Sequence, residues 1–387
     1  MGMTKWDIEY LKLVRRILSE GFEVENRTGI NTIKIPEYHF TLDVEDEFPI
    51  LTTKLVPWKT AGIEISWIWI LGSNDVRDLQ KRGVHIWDEW MVDEDGIYRI
   101  YEPYGEYDPD KEVEVMDPLS VPVSDPFGLR HEVKPKLDEN GKIMTAKSIK
   151  EGRTIKAAKY FGQEYAYTIG TAYGYIVSRY QHTPNLIDTL KLYPTDRRIV
   201  KSLWQDEFLR TAVLPSCVWA TEWDVTDGKL NLTVIQRSCD VPLGLPFNVT
   251  QYAMLQAMIA KETGLEPGLM NYEIKDAHIY VNQIAGIEEQ LWRGEQFERM
   301  SSLGYEDLEL LRKIKELIKE EMDKETDEYR KLDSELRMID MILNPTTPTL
   351  ELADVKDFFD YDTSKDFKDV KVKSYKHMGK IEFPIAQ

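Results

Sequence analysis

Residues 214–248 read LPSCVWATEWDVTDGKLNLTVIQRSCDVPLGLPFN, and the reading of the whole chain works outward from them. Residues 217–224 and 229–237 are strand-like, and Thr226-Asp227-Gly228-Lys229 between them is turn chemistry. After Leu243-Gly244-Leu245-Pro246-Phe247-Asn248, the stretch from Asn248 to Thr263 sets Met254, Leu255, Met258 and Ile259 at helical spacing. Gly264 offers its stop, so a buried helix is expected there. A cysteine, Cys217, opens the first strand, and a second, Cys239, follows the other.

Upstream, residues 5–20 place Ile8, Leu11, Val14, Ile17 and Leu18 on one helical face, with Gly21 as the stop. Residues 30–43 alternate as a strand through Ile33, Ile35, Tyr38, Phe40 and Leu42. Ala61 to Leu71 is apolar nearly all round and reads as a buried helix carrying one acid, Glu64. Asn74 to Arg82 reads as a short polar helix. Residues 91–160 differ: prolines 103, 109, 118, 122, 126 and 135, many acids and no sustained periodicity predict a loop-rich insertion. Regular patterning returns near Tyr173. Residues 286–345 read as a helical insertion, and within it 305–343 is charged and amphipathic. There Leu311, Ile314, Ile318, Tyr329, Leu332, Leu336 and Ile339 leave a gap at 319–328, which fits a helical hairpin or a bent helix. Its apolar face is expected on the main core; a partner-binding helix is the other reading.

The totals restrict the class of function. A chain of 387 residues, 42% hydrophobic and 30% charged, can bury a substantial core as one large domain. The start MGMTKWDIEY lacks the basic and apolar runs of a signal peptide, and Ile63 to Leu71 is too short to span a bilayer. A soluble, cytoplasmic protein is expected. Two cysteines cannot build a disulfide framework at this size, and none of the six histidines pairs with a cysteine at ligand spacing, so no metal is expected. The net charge of −19 argues against general nucleic-acid binding, yet a small anion needs only a few converging arginines.

Cys217 alone proves nothing, because most buried cysteines are inert packing. Its company changes that. With the segment quoted at the outset stand Arg27-Thr28-Gly29, Phe48-Pro49-Ile50-Leu51-Thr52-Thr53-Lys54 and Glu64 three residues before Trp67. Ile86-Trp87-Asp88-Glu89-Trp90, Ala172-Tyr173-Gly174, Asp196-Arg197-Arg198 and Asp276-Ala277-His278-Ile279-Tyr280 follow in order. In these motifs the sequence resembles the thymidylate synthase family, through residues 5–90, 165–285 and 350–387. The resemblance implies an α/β (α+β) three-layer fold on a large mixed sheet, interrupted by the two insertions.

The resemblance also implies a reaction. C5 of uracil is a poor nucleophile. A thiolate adding to C6, here from Cys217, makes C5 an enolate carbon that can attack the methylene of 5,10-methylenetetrahydrofolate, the co-substrate. By the same resemblance Arg27, Gln236, Arg237 and Ser238 bind the nucleotide dUMP, with guanidinium forks on its phosphate. Arg197 and Arg198 reach into the other subunit's site, which implies a homodimer. Asn248 donates to uracil O4 and accepts from N3–H, a pattern cytosine does not present. His278 and Tyr280 hold the sugar 3′-hydroxyl. Glu64, an acid on an apolar helix, runs the water network at O4, and Tyr173 helps remove the C5 proton. Trp87, Asp88, Asp240 and Gly244 contact the reduced folate, with Lys54 near its tail. Phe383-Pro384-Ile385-Ala386-Gln387 resembles the family's closing flap.

Four departures bear on the product. Ser216 stands where the family usually has proline, Gln387 where an apolar residue is usual, and Pro242 and Ile176 where aromatic or amide side chains are common. A water held at Ser216 would give a hydroxymethyl group, as in the phage hydroxymethylases of the superfamily; a dry pocket gives a methyl group by hydride transfer. The departures and the two insertions predict the hydroxymethylase, with thymidylate synthase as the alternative.

Overall fold

The structure, a computed structural model, describes residues 2–102 and 106–385. Pro103, Ala386 and Gln387, named above, lie outside the described residues. Packing separates two compact units: residues 2–62 with Trp223–Asp357 and residues 368–385, and Ile63–Glu222 with Phe358–Phe367.

The first unit is built on a mixed sheet whose centre is the strand Glu266–Tyr280. It pairs antiparallel with Thr32–Asp43 and parallel with Lys229–Gln236 and the short Cys239–Asp240. Phe22–Val24 closes one edge against Thr32–Asp43. Side-chain alternation accounts for the register. Tyr38, Phe40 and Leu42 face inward, and Phe40 lies opposite Tyr272 with stacked rings 5.2 Å apart. Trp6 stacks on Phe40 from the helix Lys5–Glu20, joining helix and sheet through one aromatic column. The inward phase slips at Pro36, which has no N–H to give the ladder; opposite it Asp276 takes φ +50°. That slip turns the Asp276 side chain into the site described below.

The helix Gly244–Thr263 is longer than its sequence pattern by one turn, because Gly244 and Pro246 read as loop but occupy the first turn, where proline costs no hydrogen bond. It ends at Gly264 in the left-handed conformation. Gln256, fully buried on it, donates to the carbonyls of Leu230 and Leu269 and so fixes the helix to two strands. Asp7 performs a similar service elsewhere. Its buried carboxylate accepts from the amides of Thr4, Thr52 and Thr53 and from all three hydroxyls, which holds the segment entering Lys54.

The helical insertion comprises Ile284–Ser301, Tyr305–Glu320 and Asp327–Leu343, the last two forming a hairpin. Leu308, Met338 and Ile339 pack with Phe297, Met300 and Met378. The expected apolar face is only half used. Ile314 and Ile318 stay 46% and 50% exposed beside Leu310 and Leu317, because Tyr305–Glu320 buries only its Leu308 edge.

In the second unit the helix Trp58–Trp69 continues from the first, burying Ile63, Ile65, Trp67, Ile68 and Trp69. The segment expected to be loops instead forms a small sheet. Ile97–Tyr101 and Glu112–Asp117 flank Ile155–Tyr160, and the short strands Lys134–Pro135 and Thr145–Lys147 join Glu112–Asp117. Ile97, Val115, Ala146, Ile155 and Ala158 form its core. Each strand is too short to show a periodicity, and the pairing partners are far apart in sequence. Among the described prolines of this stretch only Pro135 falls within a strand, and that strand is a two-residue edge, where a missing N–H is tolerated. Among the described residues no helix is long and apolar enough to cross a membrane.

Candidate active site

In the second unit four residues from separate segments form a chain of contacts. Cys217, partly exposed, is held just before the strand Val218–Thr226. Its backbone amide donates to the Tyr173 hydroxyl at 2.9 Å. The Tyr173 ring meets the Trp87 indole edge-on at 5.5 Å, and Trp87 Nε1 donates to Glu64 Oε1 at 2.8 Å. Glu64 is 9% exposed, and the indole N–H gives its buried carboxylate a hydrogen-bond donor.

Backbone strain marks the same place. Tyr173 has φ +46°, costly for a residue with a side chain, at the entry to the helix Gly174–Arg179. Gly174 follows because a Cβ there would stand 1.8 Å from the Ser73 carbonyl oxygen. The tight approach forces the turn, and the turn aims the phenol at the Cys217 backbone. Asp88 is fixed by Gln80 Nε2 at 3.0 Å and His85 Nδ1 at 2.9 Å.

In the first unit a second polar cluster forms where the sheet meets the helix Gly244–Thr263. The inward row Leu230, Leu232, Val234 ends in Gln236, an amide at a core position, 2% exposed. Gln236 Oε1 accepts from the Tyr272 hydroxyl, and its Nε2 donates to the Ser238 carbonyl and to Asn248 Oδ1. Asn248 Nδ2 in turn donates to Gln251 Oε1. The amide of Asn248 is thereby oriented, and each of its polar atoms retains capacity for one more bond. A Cβ on Gly244 would lie 3.7 Å from Asn248 Oδ1 and 3.9 Å from Asp240 Cβ, so the glycine keeps the space beside both side chains open.

Asp276 draws the remaining groups together. Its carboxylate accepts from Ser238 Oγ at 3.1 Å and Lys34 Nζ at 2.6 Å, with His278 Nδ1 3.6 Å away. The hydrogen bond and charge of His278, with those of Lys34, hold Asp276 well below the usual carboxylate range although burial pulls the other way. For His278, burial lowers the pKa, but the Asp276 carboxylate and carbonyl outweigh it and the net shift is upward. Tyr280 packs edge-on against the His278 ring.

Burial pushes the Asp240 carboxyl upward, against hydrogen bonds from the Leu243 amide at 3.0 Å and Gln283 Nε2 at 3.2 Å. Lys54 is 6% exposed, and burial lowers its pKa to about 7 although Asp240 opposes the shift. Its ammonium donates to the Pro242 carbonyl and lies 4.6 Å from the centre of the Phe383 ring. The lysine expected near a folate tail is turned inward here, toward the chain's own C-terminal segment.

Arg27, Arg197 and Arg198 are exposed. Arg197 and Arg198 line an open surface hollow with Tyr193, Thr195 and Asp196. Arg198 forks onto Asp196 at 2.9 and 2.8 Å, which lowers the Asp196 pKa to about 2. Arg237 lies partly buried beside Ser238 in the chain. Gln251, Tyr272 and Gln283 escaped the sequence reading. Glutamines and tyrosines within apolar rows read as packing, so no local signal marked them.

With the geometry in hand, similarity to known proteins gives a consistent answer. The family model described as thymidylate synthase matches residues 8–331. A thymidylate synthase from Clostridium beijerinckii is 38% identical over 291 residues, covering 75% of this chain and 83% of that one. One from Oenococcus oeni is 30% identical over 403 residues, covering 99% and 100%. Among solved structures, thermostable thymidylate synthase A from Bacillus subtilis superposes with a TM-score of 0.62 at 27% identity, covering 99% of this chain and all of that one.

Proposed function

The chain belongs to the thymidylate synthase family, a family of one-carbon transferases, and from that premise we propose that it makes thymidylate from deoxyuridylate. Cys217 is the covalent nucleophile and 5,10-methylenetetrahydrofolate the source of carbon. The observation that carries this reading is the contact chain Glu64–Trp87–Tyr173–Cys217, which gathers a nucleophile, a phenol and a buried carboxylate from four segments.

The Cys217 thiolate adds to C6 of the pyrimidine, and the electron pair displaced onto C5 forms the bond to the one-carbon unit. Tyr173, beside the nucleophile's backbone, takes part in removing the C5 proton, and Glu64 exchanges protons with O4 through water. The folate supplies both the carbon and the hydride that reduces it to methyl, leaving as dihydrofolate. Release of Cys217 from C6 then restores the ring. Asn248 reads O4 and N3–H of uracil; Arg27, Arg237 and Ser238 take the phosphate, and His278 with Tyr280 the sugar hydroxyl. The Asp240 carboxylate fits a reduced folate, because a pterin presents N–H donors and a buried acceptor gains most from them.

The methyl product replaces the hydroxymethyl product that the sequence departures suggested. The similar curated proteins, from bacteria, carry the name thymidylate synthase. Ser216 beside the nucleophile is buried, and so is Ile176 in the same unit, which favours surroundings of Cys217 without bulk water. Exposure of the Arg197–Arg198 pair favours a homodimer in which each pair serves the partner's phosphate site.

Trapping tests the proposal. Fluorine at C5 cannot leave as the proton does, so 5-fluorodeoxyuridylate with methylenetetrahydrofolate should stall the enzyme as a covalent complex on the peptide carrying Cys217. Absence of that complex, or its persistence in Cys217→Ala, would refute the assignment.

A further inference from the structure

Gln283 is an amide with no exposed surface, in the turn Val281–Gln283 that leads into the helix Ile284–Ser301. All of its hydrogen-bonding atoms are engaged, and they join three parts of the first unit. Oε1 accepts from the Tyr280 amide at 3.1 Å. Nε2 donates to Asp240 Oδ2 at 3.2 Å and to the carbonyl of Pro384, in the C-terminal tail, at 3.1 Å. One end of the amide is thus tied to the strand that carries His278 and Tyr280, and the other divides its two protons between a carboxylate and the tail.

The tail has a prepared seat. The Phe383 ring lies against Gly286, where a Cβ would stand 2.6 Å from its Cε1 and 3.2 Å from Ile381 Cγ2. Any side chain at 286 would lift the ring. The other side of Phe383 meets the Lys54 ammonium, itself fixed on the Pro242 carbonyl. Phe383 and Pro384 therefore make contacts that depend on the first turn of the helical insertion, and one of those contacts continues into Asp240.

We propose that Gln283 is a positioning residue that couples seating of the C-terminal tail to the orientation of the Asp240 carboxylate, so that tail closure and folate binding strengthen each other. The inference rests on the reading in which Asp240 holds the folate. When the tail leaves, one amide proton of Gln283 loses its acceptor in a buried setting, which is unfavourable. The amide then relaxes, and Asp240 Oδ2 loses a fixed donor, while its Oδ1 keeps the Leu243 amide. Coupling of this kind is reciprocal: whatever the tail does for folate affinity, folate does for tail seating.

Four proteins test it: wild type, Gln283→Leu, a chain shortened to end at Ile381, and the two changes combined. Each is assayed for kcat, for KM of both substrates, and for carboxypeptidase release of the tail with and without fluorodeoxyuridylate plus methylenetetrahydrofolate. Gln283→Leu should raise KM for the folate about tenfold while KM for the nucleotide changes less than about twofold. Its tail should be released equally fast with and without ligands, whereas ligands protect the wild-type tail. In the shortened chain Gln283→Leu should add little, because the coupling it disrupts is already gone. Gly286→Ala, which displaces Phe383 without touching Gln283, should raise folate KM in the same selective way and serves if Gln283→Leu does not fold. Effects that multiply across the four proteins, or a Gln283→Leu tail still protected by ligands, would overturn the coupling. If the wild type traps no covalent complex at all, the functional reading fails and takes this inference with it; if it traps one and the effects multiply, only the coupling fails.

Discussion

Lys54→Met isolates one buried charge within the candidate site. The ammonium is buried, its pKa lowered from 10.5 to about 7. Each tenfold change in proton affinity corresponds to about 1.4 kcal/mol, so keeping Lys54 charged costs the folded state up to about 5 kcal/mol. The unfolded chain keeps its proton up to about pH 10.5 and the folded chain only to about pH 7. Between those values the unfolded state binds more protons, and stability rises with pH; below about pH 7 the full penalty is present. Lys54 therefore burdens the fold by about 4.7 kcal/mol at pH 6 and about 2 kcal/mol at pH 9 by this linkage. Methionine has similar reach and no charge. Losses that do not depend on pH, such as the bond to the Pro242 carbonyl, drop out when the two pH values are compared. Urea unfolding of both proteins at one protein concentration should show the stability difference between mutant and wild type moving against the mutant by about 2.7 kcal/mol from pH 6 to pH 9. A difference independent of pH would mean that Lys54 titrates as an ordinary exposed lysine and would refute the reasoning.

Two further outcomes follow from the site. Asn248→Asp removes the donor proposed to face O4, together with the Nδ2 bond to Gln251 Oε1; the preference for deoxyuridylate over deoxycytidylate, measured as the ratio of kcat/KM, should fall about 100-fold, and an unchanged ratio would remove Asn248 from base recognition. Mixing inactive Cys217→Ala and Arg198→Ala subunits should restore activity if the chain forms the proposed dimer, in which the mixed pair has one site with both groups intact; random re-pairing then gives about a quarter of the wild-type rate, and no recovery would mean that Arg198 serves its own subunit or neither.

The regions best read from sequence are those where one local pattern suffices. Lys5–Glu20 with its Gly21 stop, Thr32–Asp43 and the helix ending at Gly264 need only periodicity and a terminator. The sheet within residues 97–160 was not legible, because its strands of two to six residues acquire meaning only from partners tens of residues away. Asp7 shows the same limit for polar groups: its threonine donors at 52 and 53 lie 45 and 46 residues distant. Most members of the two side-chain clusters fall in short contiguous motifs and could be named as candidates from those motifs. What the motifs could not give was support. Tyr272 and Gln251 orient Gln236 and Asn248, and glutamines and tyrosines in those settings read as ordinary packing. The exposed stripe Leu310, Ile314 and Leu317 likewise departs from expectation, since amphipathic spacing specifies a face but not whether anything covers it.

The central claim is that Cys217 chemistry ends in a methyl group at the expense of the folate's own hydride. Its most direct test follows dihydrofolate formation by absorbance while the nucleotide product is weighed by mass spectrometry. One dihydrofolate for each deoxyuridylate converted to its 5-methyl form is the predicted result; a 5-hydroxymethyl nucleotide formed with no dihydrofolate would contradict it.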